Sequence, residues 1–385
     1  MAMRAALAAL FPKPPWKRKL PLLPLLRARP PETAAPVRYS YSEVLSSYQV
    51  IFAEHGCPQK VLSDKTISFR RTPPSDQILV KMLMAPANPS DLDIIAGTGY
   101  YTPEELPAVA GNEGVGVVVQ TGSNVTTIHL GDWVIPKDVG WGTWRQWAFT
   151  TEKDVVKVPN NLPLLGAATL GCYPCTAYRM LKGILNLGPG DVVFQNSVYS
   201  NVGLAVIQLA KQWEITTVNV LRDGPNTDQQ SKELREFGAT HVITDKFLRS
   251  AEMQYFVEAL PSKPRLAFNC AGWVLHEDIK EHLHDVIMVT YGDMSRKHVT
   301  APEGETIEQL EGYWQSTWTL GDAPPMEHIV KEISKLILEG KFHPPFCDIY
   351  ALDMYPLAIK HALELPEPRR VVLMIDEDLR HLRIH

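Results

Sequence analysis

Residues 188–223, GPGDVVFQNSVYSNVGLAVIQLAKQWEITTVNVLRD, constrain the fold more than any other part of the chain. A β-branched and aromatic run (Val192, Val193, Phe194) stops at a polar cluster from Asn196 to Asn201. Val202, Val206, Leu209, Ala210 and Trp213 then recur at helical spacing, and a second apolar run fills 217–221. Strand, turn, helix and strand in that order predict a βαβ unit. Its turn sits at the positive end of a helix, where backbone N–H groups receive a diphosphate. A nucleotide-binding turn usually carries three glycines, and only Gly203, in the third position, is present. Asn201 stands where a glycine is expected, and Asn tolerates left-handed geometry better than most residues. An α/β unit that binds no nucleotide satisfies the same pattern, so the stretch alone leaves both readings open. Arg222 and Asp223 close the second strand. A carboxylate there would hold ribose hydroxyls and an arginine would pair with a 2′-phosphate; the order Arg-Asp leans towards NADPH, and a solvated strand end is the alternative.

The 385 residues, 45% hydrophobic, suffice for two domains with substantial cores. No apolar run reaches the eighteen or so residues of a membrane span, so no membrane partner is expected. Seven basic residues, Arg4, Lys13, Lys17, Arg18, Lys19, Arg27 and Arg29, precede the first acidic one, Glu32. That acid-free segment reads as a mitochondrial presequence, with prolines confining any amphipathic helix to about its first ten residues. Removing those seven from the 38 Lys and Arg leaves an excess of the 43 Asp and Glu, which argues against nucleic acid as a partner.

Between 38 and 159 the chain reads as short strands, 78–84, 114–120, 133–136 and 155–158, separated by Gly, Asn and Asp in the manner of a curved, barrel-like sheet. Helical periodicity runs from 163 to 185. Helices near 228–237 and 251–260 then alternate with strands at 241–244, 265–270 and 286–291, which predicts a parallel, doubly wound sheet ending near 320. Beyond 325, a helix (327–338), a strand, a helix (355–363) and a strand (370–375) are too few for a third domain and are expected to return to the first.

Several motifs give a resemblance: GNEGVGVVVQTGSNVTTIHLGDWVIP, GTWRQWAF, AATLG-x-x-PCTAYRML, VIQLAKQW, GATHVIT and MVTYG. From about 38 to 376 the chain resembles the mitochondrial trans-2-enoyl-thioester reductases of the medium-chain dehydrogenase/reductase superfamily. The resemblance implies an α/β protein with a doubly wound parallel Rossmann sheet and a GroES-like, partly open β-barrel catalytic domain. It implies a presequence at 1–37, the catalytic domain at 38–176 and 321–385, and the NADPH-binding domain at 177–320. The implied reaction is NADPH-dependent reduction of enoyl-CoA or enoyl-acyl-carrier-protein in the mitochondrial matrix. A charge-poor, aromatic strand expected over 313–320 would pair across a two-fold axis in a homodimer.

The zinc alcohol dehydrogenases share the superfamily. Here Asn112 and Glu113 stand in Gly-Asn-Glu-Gly without a histidine, and Cys172 and Cys175 form a lone C-x-x-C, so no metal site is expected. Those two cysteines, with Cys57, Cys270 and Cys347, read as small buried residues. Carbonyl activation then needs a side-chain donor, and the resemblance places it at Tyr100, with Tyr101 as its neighbour. It further implies Tyr199, Ser200, Asn201 and Val202 at the diphosphate and Arg222, Asp223 and Gly224 at the adenosine end. Tyr291, Gly292, Asp293 and Met294 would lie on the nicotinamide side, Tyr313, Trp314, Gln315 and Ser316 on the pocket wall, and Tyr173 and Arg370 near the cofactor. Tyr173 replaces the family's usual asparagine, Asn201 a glycine, Gly224 a basic residue, Asp285 and Val286 a glycine pair, and Asp293 a glycine. Those departures support a second reading, a member that binds or regulates without catalysis. A quinone or enone reductase with the same cofactor pocket is the third.

Overall fold

The computed structural model describes residues 43–99, 101–270, 278–279, 281–283, 286–291, 308–309, 324–364 and 369–381. The expected presequence and the expected strand at 313–320 lie outside the described residues. In chain order the first half holds β1 (Val44–Phe52), α1 (Pro58–Val61), β2 (Leu62–Arg70), β3 (Gln77–Ala87), α2 (Pro89–Ala96), β4 (Ala108–Val109), β5 (Val115–Thr121), β6 (Trp133–Pro136), β7 (Trp147–Thr151) and β8 (Val155–Val158). Then come α3 (Leu164–Ala168), α4 (Tyr173–Lys182), β9 (Val192–Gln195), α5 (Asn201–Gln212), β10 (Thr216–Leu221), α6 (Thr227–Phe237), β11 (His241–Thr244), α7 (Asp245–Leu248), α8 (Glu252–Glu258) and β12 (Leu266–Asn269). The last elements are β13 (Ile287–Thr290), β14 (Glu308–Gln309), α9 (Met326–Leu338), β15 (Cys347–Ala351), α10 (Tyr355–Glu364) and β16 (Arg370–Met374).

Strands β9 to β14 form a parallel sheet in the order β11-β10-β9-β12-β13-β14, so the direction of winding reverses between β9 and β12. Alternation along β9 sends Val193 into one core and Val192 and Phe194 into another on the opposite face. Burial on both faces makes the strand a continuous apolar run, which is why it is visible in the sequence. Open sheets of this kind bind ligands beyond the carboxyl ends of the strands at the reversal.

The other large sheet runs β15-β16-β3-β5-β6-β8, with β7 also on β3. Register shifts at Leu79/Val80 and Met82/Met84 bend β3 as it pairs with β5. The C-terminal segment does return, because β16 lies antiparallel to β3 with Val372 opposite Pro86. Ile329, Val330, Ile333 and Ile337 of α9 join the larger core, where Tyr178 and Leu181 of α4 also lie.

Two expectations need correction. The helical stretch at 163–185 is two helices, because the chain breaks after Thr169 and restarts with Pro174 in the first turn of α4, where a missing N–H costs nothing. Cys57 is exposed, at the N-cap of the one-turn helix α1, whereas Cys172 and Cys175 are buried.

Candidate active site

At the sheet reversal the carboxyl ends of β9 and β12 are laced together by amides. Asn196 Nδ2 donates to Asn269 Oδ1 at 2.6 Å, the Cys270 backbone N–H donates to Asn196 Oδ1 at 2.7 Å, and Asn269 Nδ2 donates to Thr290 Oγ1 at 3.2 Å. Gln195 Nε2 reaches Asn219 Oδ1 on β10 at 2.7 Å. The turn that follows is held by its own backbone, and Ser200 caps α5 by accepting from the Gly203 N–H at 3.0 Å. A Cβ on Gly203 would lie 2.7 Å from the Ser197 carbonyl oxygen and 2.8 Å from Val198 Cα, so only glycine allows this helix so close to the turn. The residue in left-handed geometry is Ser197, with φ of 55°; Asn201 instead starts the helix, which corrects the reason expected for its place there. Ser197 Oγ and Asn201 Oδ1 are buried without hydrogen-bond partners. Of the two, the Ser197 hydroxyl can donate to a phosphate oxygen, and beside a helix N-terminus it makes a suitable cradle for a phosphorylated ligand.

Tyr199 is half-buried, and its hydroxyl donates to Glu233 Oε2 at 2.5 Å, tying the turn to α6. Burial, then the Glu233 hydrogen bond, raise its pKa far above the phenol range. Val202 is buried. Arg222, Asp223 and Gly224 are exposed at the end of β10, where Arg222 makes no ion pair among the described residues. The Asp223 N–H donates to Asp245 Oδ1 at 2.8 Å and the Gly224 N–H to Thr227 Oγ1 at 2.8 Å. Tyr291 is buried just past β13. Tyr100, Gly292, Asp293, Met294, Tyr313, Trp314, Gln315 and Ser316 lie outside the described residues.

A second polar constellation gathers where α2, the 110–113 loop and β16 meet. The sequence Asn-Pro-Ser-Asp shapes its first part: Asn88 caps α2, Pro89 opens it, and Asp91 Oδ2 accepts from the Asn88 N–H at 2.8 Å. Asp91 Oδ1 accepts from Asn112 Nδ2 at 2.6 Å, and Asn112 Oδ1 accepts from the Gly140 N–H at 2.7 Å. Glu113 accepts from Asn88 Nδ2 at 2.9 Å, from the Cys172 N–H at 2.7 Å and from Arg370 Nη2 at 3.2 Å. Arg370 is 4% exposed, its guanidinium carbon lies 4.1 Å from the centre of the Tyr173 ring, and its Nη1 is buried without a partner. A guanidinium keeps its proton, so this is a buried ion pair with a cation–π contact. Burial pushes the Asp91 carboxyl up to about 7 against the hydrogen bonds it accepts, with Glu113 adding to the rise. Burial likewise raises Glu113, opposed chiefly by Arg370.

Next to this constellation a cavity of about 260 Å³ is lined by Asp91, Asn112, Tyr101, Gly140, Trp141 and Arg145 among others. Of the residues expected near the cofactor, Tyr173 and Arg370 are brought together. Asn88, Asp91, Ser197 and Asn269 were not picked out; the capping pattern Asn-Pro-Ser-Asp and the asparagines ending two apolar strands are the signals that point to them. No group of three or more His, Cys, Asp or Glu among the described residues could hold a metal ion.

The alcohol dehydrogenase GroES-like domain family matches residues 74–160. The chain is 41% identical over 337 residues to the human protein named enoyl-[acyl-carrier-protein] reductase, mitochondrial, covering 86% of this chain and 90% of that one. Among solved structures, the complex of Etr1p with NADP and crotonyl-CoA superposes with a TM-score of 0.75 at 28% identity, over 86% of this chain and 100% of that chain. The Etr1p/Etr2p heterodimer of the 2-enoyl thioester reductase from Candida tropicalis gives a TM-score of 0.74 at 28% identity with the same coverage.

Proposed function

The chain belongs to the mitochondrial enoyl-[acyl-carrier-protein] reductase family, and we propose that it reduces the Cα=Cβ bond of trans-2-enoyl thioesters, carried on CoA or acyl carrier protein, in the mitochondrial matrix. The observation that carries this reading is the kinship through 86% of the chain, joined to a crevice in which the buried Ser197 hydroxyl, a donor suited to a phosphate oxygen, lacks an internal partner. In the division of labour we infer, residues 38–176 and 321–385 form the catalytic unit, 177–320 hold the cofactor and 1–37 are a presequence. A homodimer belongs to the same proposal.

NADPH, when bound, supplies the hydride that adds to Cβ. Ser200, Asn201 and Val202 receive its diphosphate at the start of α5, where backbone N–H groups converge. Arg222 offers an uncommitted guanidinium to the 2′-phosphate, and Asp223 a carboxylate to the ribose. Arg370 keeps one unpaired nitrogen for a phosphate oxygen while Glu113 and Tyr173 fix its plane. Tyr291, Gly292, Asp293 and Met294 border the nicotinamide, and Tyr313, Trp314, Gln315 and Ser316 wall the acyl pocket. Tyr100 donates a hydrogen bond to the thioester oxygen, which stabilises the enolate formed as Cβ takes the hydride, and its proton passes to Cα. Solvent then restores the phenol.

Purified protein should consume NADPH with crotonyl-CoA, and Tyr100→Phe should lower kcat by about 100-fold, the usual loss for one oxyanion donor, with NADPH affinity unchanged. Wild-type protein that binds NADPH and reduces no enoyl thioester would overturn the reading. A Tyr100→Phe enzyme with normal kcat would remove that tyrosine's role alone.

A further inference from the structure

The cavity beside the buried constellation holds a cation that no carboxylate among the described residues neutralises. Arg145 follows the Gly140-Trp141-Gly142 loop, and its side chain lines the cavity. Its Nη2 donates to the Trp141 carbonyl oxygen at 2.7 Å and its guanidinium carbon lies 4.9 Å from the centre of the Trp141 ring. Its Nε is fully buried with no hydrogen-bond partner, and no carboxylate among the described residues pairs with it. A half-buried guanidinium whose Nε is cut off from water, and which is held by one carbonyl and one ring face, is costly unless an anion completes its fork. Burial alone pushes its pKa down to about 10, which agrees with a guanidinium that lacks an internal counter-charge.

The walls select the anion. Phe52, Ile94, Ile95 and Trp141 provide apolar surface beside the polar lining, which can receive a short apolar tail. Glu104 and Glu105 stand exposed on the lining and Asp91 is buried in it, so a multiply charged phosphate would meet three carboxyl groups and one cation. A monoanion with a short hydrocarbon tail satisfies both conditions, its two oxygens matching the planar fork of Arg145.

We propose that this cavity is a binding site for short-chain carboxylates, with Arg145 as the carboxylate anchor and the Phe52, Ile94, Ile95 and Trp141 surfaces receiving the tail. Tyr101 borders the site too, and a Cβ on Gly140 would come within 2.3 Å of its hydroxyl, so these two loops close on each other with no slack. An occupant would therefore rest against both. The inference stands on the cavity and on Arg145, and is independent of the reductase reading.

Calorimetric titration of the full chain with hexanoate, hexanol and inorganic phosphate, each without cofactor, tests it. Hexanoate should bind and give a change in tryptophan fluorescence that is absent in Trp141→Phe, and hexanol should bind at least about 10-fold more weakly, as expected for loss of a charge-assisted hydrogen-bonded pair. Arg145→Leu should weaken hexanoate by about the same factor and leave hexanol unchanged, and Arg145→Lys, which keeps the charge without the fork, should fall between. Should Arg145→Leu fail to fold, the comparison of hexanoate with hexanol on wild-type protein and the Lys variant still decide. Equal binding of hexanoate and hexanol, tighter binding of phosphate, or unchanged hexanoate affinity in Arg145→Lys would each overturn the proposal.

Discussion

The crevice at the end of β9 and the buried constellation around Glu113 are both rich in buried polar groups, yet the oxygens of the first are left open and the two carboxylates of the second are held from several sides. In the crevice, Ser197 Oγ, Asn201 Oδ1 and Gln195 Oε1 are buried without partners. In the constellation, Glu113 accepts from three different residues and Asp91 from two. Buried polar groups left open cost the folded protein and suit a guest, whereas carboxylates engaged by several donors fix one arrangement of the backbone around them. Substitutions in the two regions should accordingly separate stability from ligand affinity.

The largest effect is expected at Glu113. Glu113→Gln keeps the shape, removes the charge facing Arg370, and leaves a guanidinium 4% exposed with no counter-ion. Breaking a buried pair on one side costs about 3–5 kcal/mol, so the urea midpoint should fall sharply. A midpoint within experimental error of wild type would show that the Glu113–Arg370 pair contributes nothing net to stability.

Asp91 gives a smaller and pH-dependent effect. Its carboxyl is raised from an ordinary 3.8 to about 7 by burial, so the folded state binds its proton more tightly than the unfolded chain. The stability this contributes is complete below the unfolded value and is lost as pH rises through the folded one, between pH 3.8 and about 7. Urea titrations across that window should show wild-type stability falling by up to about 1.4 kcal/mol per pH unit from this group, and Asp91→Asn should flatten the slope. Parallel slopes for the two proteins would mean that Asp91 is ionised throughout and belongs with the charges rather than with the neutral donors.

The two regions also differ in how far the sequence exposes them. The turn from 195 to 203 is local: an apolar strand, a polar cluster and a helix periodicity lie within one stretch, so its place in a βαβ unit is legible without tertiary information. The constellation joins Asn88, Asn112, Glu113, Cys172 and Arg370 from four separate parts of the chain, and pairing at such distances leaves no periodic trace. Strands β1 and β2 escaped for a related reason. Most of β2, LSDKTISFR, is exposed, and it is held by its ladder with β1 rather than by an apolar face, so it lacks the alternation that marks a half-buried strand. Arg145 sits in a motif that supported the family resemblance, yet its want of a counter-ion appears only once its neighbours are placed.

The smallest change in stability is expected at Ser197, in the open region. Its hydroxyl has no partner to lose, so Ser197→Ala should leave stability within about 0.5 kcal/mol of wild type. If that oxygen serves the bound dinucleotide, NADPH affinity should still fall by about 2- to 10-fold, the range for one neutral hydrogen bond. The backbone supplies an independent check, because a φ of 55° is strained for any residue with a Cβ. Ser197→Gly relieves that strain and frees the unfolded chain, two effects of opposite sign near 1 kcal/mol, so it too should stay close to wild type in stability. Its NADPH affinity should match that of Ser197→Ala, since both lack the hydroxyl. A loss of more than about 2 kcal/mol in Ser197→Ala would mean that the hydroxyl is satisfied within the folded protein. The crevice hydroxyl would then be as engaged as the carboxylates of the constellation, and the contrast between the two regions would fail at its simplest point.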